Sequence, residues 1–221
     1  MRATCSTTAL LLASMLLAAP LKAEIVDRLA VTVANAVVTL EDVRTQVRVA
    51  ALIDGQPLKL DAATLREAAE RLVDQTIIRR EMALADYTPP EPTAASSLLL
   101  ELKKTRFQGS DLLYQASLEA YRVSEPDLVA QLQWQVTLLR FIDSRFRPGI
   151  QVAPEDVLNY YQQKFVPEWR ATSSGPPPPA GQVRNKIELL LEQQQLDSSV
   201  ERWLNQARTQ TVIRFREEAF R

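Results

Sequence analysis

Polar and apolar positions follow two rhythms along this chain. The segment Leu29-Ala30-Val31-Thr32-Val33 alternates and is rich in β-branched residues, so it predicts a strand. Asn35-Ala36 offers a turn, because asparagine tolerates a left-handed backbone. Val37-Val38 then reads as a return strand. After Thr39 the rhythm becomes helical. Thr39 with Asp42 three residues on is close to a capping box, and the helix it opens runs to about Leu52, before Asp54-Gly55-Gln56-Pro57.

The helical rhythm then dominates. Asp61 opens a long helix to about Tyr87, with Leu65, Ala69, Leu72, Val73, Thr76 and Ile77 on one stripe, ended by Thr88-Pro89-Pro90-Glu91-Pro92. Further helices are expected over Ala94–Arg106 and from Ser110-Asp111 to about Tyr121. Ser124-Glu125-Pro126-Asp127 combines a cap, an early proline and acids in the first turn. Its helix should run to about Arg147 and bury Leu128, Leu132, Val136, Leu139, Ile142 and Phe146. Pro154-Glu155-Asp156 opens another, carrying Val157, Leu158, Tyr161 and Phe165. The stretch Val166–Gln182 is rich in proline, serine and glycine and reads as an exposed linker, extended at Pro176–Pro179. Helix resumes over Val183–Gln195, and Asp197 is expected to cap a separate last helix with Val200, Trp203, Leu204 and Ala207. Thr211–Phe215 reads as a strand. A lone strand leaves its backbone unsatisfied, so it should pair with the hairpin over Leu29–Val38 and close the chain on itself.

Composition narrows the chemistry. The chain has no histidine and one cysteine, Cys5, which removes Ser-His-Asp and Cys-His nucleophilic systems, disulfides and the usual zinc sites. Glycines occur singly at Gly55, Gly109, Gly149, Gly175 and Gly181, so no phosphate-cradling loop can be assembled and no cofactor is expected. A formal net charge of −1 argues against nucleic acid as a partner. Residues 1–23 read as a secretory signal peptide: Arg2, then an apolar run from Ala9 to Ala19 too short to span a bilayer comfortably, with cleavage after Ala23. No stable membrane span is expected after cleavage, and an uncleaved anchor is the alternative.

The order of elements resembles the SurA-type periplasmic chaperones and their relatives among secreted peptidyl-prolyl isomerases. The resemblance is carried by Val26-Asp27-Arg28 with Val33 to Val43, by Leu72 to Ile78, by Ser124 to Leu128, by Val152 to Val157 with Tyr160-Tyr161, and by Trp203 to Arg208 leading into Val212-Ile213. It implies a mainly α fold: a SurA N-terminal-like helical domain over 24–166, completed by C-terminal helices and strand over 183–221, with a small antiparallel sheet made by the N-terminal hairpin and the C-terminal strand. Family members carry a parvulin isomerase module between the Tyr160-Tyr161 helix and the C-terminal helix. Here residues 167–182 stand in that place, so no catalytic residue is carried over and no enzyme is expected.

The function implied is a periplasmic chaperone that binds unfolded or nascent envelope and outer-membrane proteins. The alternatives are a structural or adaptor protein holding one fixed partner and a residual prolyl isomerase. Candidate client-binding residues are apolar positions off the main stripes: Leu98, Leu99, Leu100, Phe107, Leu112, Leu113, Tyr114 and Trp134. The run Pro176–Pro179 reads as a stiff spacer, with a ligand for a partner's aromatic groove as the alternative, and Trp169-Arg170 could dock back on the body. Glu41-Asp42 and Glu155-Asp156 sit at helix starts, where acids favour the dipole, and read as structural.

Overall fold

A computed structural model describes residues 27–221; the expected signal segment 1–23 and its cleavage site lie outside the described residues. The described chain is mainly helical with one small antiparallel sheet. Strand β1 (Leu29–Val33) turns into β2 (Ala36–Thr39), which runs directly into helix α1 (Leu40–Asp54). Thr39 caps α1 with both bonds of a capping box: the Asp42 amide donates to Thr39 Oγ1 at 3.1 Å, and the Thr39 amide donates to the Asp42 carboxylate at 2.9 Å. The turn differs from expectation. Val33 pairs with Ala36, so the two-residue loop is Ala34-Asn35, and Ala34 takes the left-handed backbone, with φ of 50°.

The sheet order is β2-β1-β3, with β3 at Ile213–Phe215. The C-terminal strand therefore pairs with the N-terminal hairpin, setting Val31 opposite Phe215 and Val33 opposite Ile213. A register shift between Leu29 and Val31 turns both Ala30 and Val31 inward, which strict alternation would forbid. A short 3-10 turn, Glu217–Phe220, follows and buries Ala219 and Phe220 against β1 and α2 (Ala62–Leu84). The core of α1, α2 and the sheet centres on Val31, Val43, Val73 and Ile77.

Helices α3 (Thr93–Arg106) and α4 (Asp111–Tyr121) enclose a second core with α1 and α5 (Glu125–Phe146), built on Leu52, Tyr114, Leu128 and Leu132. The buried face of α5 is not the one expected. It continues through Trp134, Thr137 and Phe141, while Leu139 is 65% exposed. The expected stripe had to serve one neighbour, but α5 serves several, α1 and α3 along its first part and α2 with α8 (Ala180–Thr209) further along. The buried line rotates accordingly.

The expected linker is overturned over its first half. Helix α6 (Pro154–Tyr160) continues through a π turn, Tyr161–Phe165, into α7 (Val166–Thr172), leaving Ser173–Pro179 as the connection to α8. Pro167 should break a helix, because it has no amide and its ring crowds the carbonyl four residues back. The π turn absorbs this: the Val166 amide bonds five residues back, to Tyr161, immediately before the proline. The break expected at Asp197 is also absent. Helix α8 is continuous, and the Asp197 carboxylate accepts from Gln193 Nε2 at 2.8 Å instead of capping a helix. No proline or glycine interrupts Gln182–Thr209, so a favourable cap residue had no competing backbone conformation to stabilise. The C-terminal half of α8 packs on α2 and α5 through Trp203 and Leu204, while its N-terminal half pairs with α6 around Val157, Val183 and Ile187.

Candidate binding groove

Arg79 lies one residue off the buried line of α2, after Ile77 and Ile78. Its guanidinium stacks over the Trp134 ring from α5, with the carbon 4.2 Å from the ring centroid. Among the described residues no carboxylate stands within ion-pair distance of it, whereas Arg145 has one and Arg66 and Arg208 have two each. Desolvation beside the indole holds its pKa below the ordinary guanidinium value, with no anion to offset it. The group remains a cation at any working pH.

Three adjoining clefts share Arg79 as a wall. One, of about 530 Å³, is lined mainly by apolar groups: Met82, Ala83, Tyr87, Pro89 and Trp134. The second, of about 360 Å³, runs past Thr76 and Ala130 toward β2 and Asp127. The third, of about 780 Å³, opens under the hairpin turn at Ala34–Ala36. Together they form a groove from the free edge of β2 to the strap that follows α2. The strap is pinned by Gln133, whose Nε2 donates to the Pro90 carbonyl at 2.8 Å. Gln133 Oε1, on the same amide, is buried and has no hydrogen-bond partner. Such an orphan acceptor costs about 1–3 kcal/mol unless a donor reaches it.

The carboxylates at the β2 end are committed elsewhere. Asp42 serves the capping box, Glu41 accepts from Arg48, and Asp127 accepts from the Ser124 hydroxyl. The groove therefore offers an unpaired cation and a soft apolar wall containing methionine. These groups suit an extended chain with apolar side chains, whose carbonyls can accept from Arg79.

The residues singled out from sequence fall into two sets. Phe107, Tyr114 and Trp134 are core residues. Phe107 and Tyr114 pack edge-to-face at 5.5 Å beneath α3 and α4, and burial withdraws them from any accessible client surface. Their rings fill space between helices that no single-helix stripe reveals. Trp134 still forms the groove wall under Arg79, though only 5% of it is exposed. Leu98, Leu100, Leu112 and Leu113 are exposed and Leu99 is half-buried against the second core. Leu98 and Leu100 lie about 200° apart around α3, so the pair does not share a face. Sequence reading missed Arg79, Met82, Tyr87 and Gln133. A hint was present in Gln133-Trp134, a polar–aromatic pair at the middle of an apolar helix.

Among the described residues no helix is long and apolar enough to cross a membrane, and no group of acidic residues is placed to hold a metal ion. No protein-family model, curated protein or solved structure matches this chain.

Proposed function

We propose that this protein is a periplasmic, SurA-like chaperone that holds extended apolar segments of unfolded envelope and outer-membrane proteins, without isomerase activity. The observation that carries this reading is the groove at Arg79, where an exposed, unpaired cation seated on the Trp134 ring adjoins an apolar wall. A client strand would bury its side chains along the cleft lined by Met82, Ala83, Tyr87 and Pro89, and its carbonyls would accept from Arg79. The free edge of β2 lies at one end of the same groove and could extend the pairing by strand addition. The resemblance in element order supports the compartment and client class.

The test is suppression of aggregation of a denatured outer-membrane protein, with a photo-crosslinker at Ala83 or Ala130 and a control crosslinker at Leu112. Suppression with crosslinks from the groove positions supports the reading. Absence of suppression at stoichiometric excess removes it. A saturable complex with one folded envelope protein would favour an adaptor instead, and turnover in a proline-limited refolding assay would restore the enzyme.

A further inference from the structure

The helical arm formed by α6, the π turn, α7 and the first half of α8 contains an arrangement unconnected with the groove. Tyr161, Phe165 and Trp169 recur at four-residue spacing and stack in a ladder, with ring centroids 5.7 Å and 5.9 Å apart and planes within 29°. The proline run folds back along this ladder. Tyr161 Oη donates to the Pro178 carbonyl at 2.9 Å, and Trp169 Nε1 donates to the Gly175 carbonyl at 3.1 Å. Pro179 has φ of −55° and ψ of 145°, close to polyproline II. Ring donors reaching the carbonyls of a polyproline segment across an aromatic surface is the chemistry by which proline-rich peptides are recognised between molecules. Here both halves belong to one chain.

We propose that the Tyr161–Phe165–Trp169 ladder is a recognition site for proline-rich, polyproline II segments, held closed by the chain's own Ser173–Pro179. Three features support recognition over mere spacing. The rings remain half-buried, so the contact is at the surface. The π turn that keeps the helix intact through Pro167 also carries two of the three rings, Tyr161 and Phe165. The backbone carbonyls, which any proline-rich chain presents, make the polar bonds. The short tether gives the internal segment an effective concentration on the order of millimolar, so an external peptide competes only when the clasp is loosened.

The experiment uses the full-length protein and a synthetic peptide with the sequence of Ser173–Gly181, read by calorimetry and by the indole N–H resonance of Trp169. In a Pro176→Gly, Pro177→Ser, Pro178→Gly variant, the peptide should bind saturably, about tenfold or more tightly than to the native protein. Adding Trp169→Ala to that variant should abolish binding. No binding by the opened variant, with its helix content intact, overturns the proposal and leaves the ladder a structural clasp. If opening unfolds the arm, the single Pro177→Ala variant decides, since it loosens only the internal segment and leaves the three rings and the Tyr161 hydroxyl in place. Tighter peptide binding by Pro177→Ala than by the native protein supports the site, and equal or absent binding overturns it.

Discussion

Ala34 holds a left-handed backbone, φ 50°, at the first central position of the β1–β2 loop. A side chain there costs about 1–2 kcal/mol, and a glycine gives back roughly 0.5–1 kcal/mol through the freer unfolded chain. Ala34→Gly should therefore stabilise the protein by about 0.5–1 kcal/mol, read as a higher urea midpoint at unchanged slope. Tyr114 gives a different kind of prediction. Its side chain is fully buried, its hydroxyl makes no well-formed hydrogen bond although the Glu125 carboxylate lies near, and burial, with that carboxylate next in effect, pushes its pKa up to about 12. A raised folded pKa means the stabilisation is whole below the ordinary tyrosine value of about 10 and is lost as pH climbs through 12. Tyr114→Phe should leave neutral stability unchanged or slightly raised, and should flatten the loss of stability between pH 10 and pH 12 in alkaline melts. At this scale the sequence announced what is local. The Thr39–Asp42 box involves residues three apart and could be read directly. The loneliness of Arg79 depends on which carboxylates fail to reach it, and no spacing rule reports that.

Among the elements, the last strand and turn are fastened by specific side chains. Arg66 lies 3.7 Å over the Phe215 ring and donates to Glu217 at 2.5 Å. Arg208 donates to both Glu70 and Asp74, one turn apart on α2, and thereby ties the end of α8 to that helix. Arg208→Ala would leave two partly buried carboxylates facing each other and should cost about 2 kcal/mol in chemical denaturation, discounted for partial exposure. Phe220→Ala should cost about 3–4 kcal/mol by emptying a buried site. Removing residues from Thr211 onward combines that loss with the loss of β3 and should unfold most of a typical 5–15 kcal/mol stability, visible as a lost cooperative transition in circular dichroism. Helix starts were legible because caps and early prolines act within one turn. The helix through Pro167 was not, because its survival depends on a π turn and a stacked ladder that together outweigh a strong local breaker. The break expected at Asp197 failed for the opposite reason: the signal was local, and nothing nearby made use of it.

At the scale of the molecule, the arm and the body stand apart in packing. The arm's own core contains Val157, Val183 and Ile187, against the larger cores around Val73 and Tyr114. Amides of α6, α7 and the first half of α8 should therefore exchange with solvent faster than those of α2 and α5, and the two groups should separate in native-state hydrogen exchange. Uniform protection across both would show one cooperative unit. Shortening Ser173–Pro179 should perturb the arm locally, through the Tyr161 and Trp169 bonds, and leave the body's transition in place. The closure of the chain by β3 was legible because two unpaired strands at opposite ends have a single economical solution. The groove was not, because it gathers single residues from α2, the strap and α5 that no periodicity links.

The central place of β1 has a consequence for how the molecule is made. Its first partner follows within a few residues, but its second, Ile213–Phe215, is synthesised after every other described element except the closing 3-10 turn. A chain emerging from its N-terminus therefore carries an open strand edge, beside an unfilled recess for Phe220, for nearly its whole biogenesis. Exposed edges of this kind recruit other chains. Yield should then be limited by how quickly the last residues arrive. A C-terminal fusion that delays docking should divert newborn protein into aggregates while leaving the stability of the finished molecule unchanged.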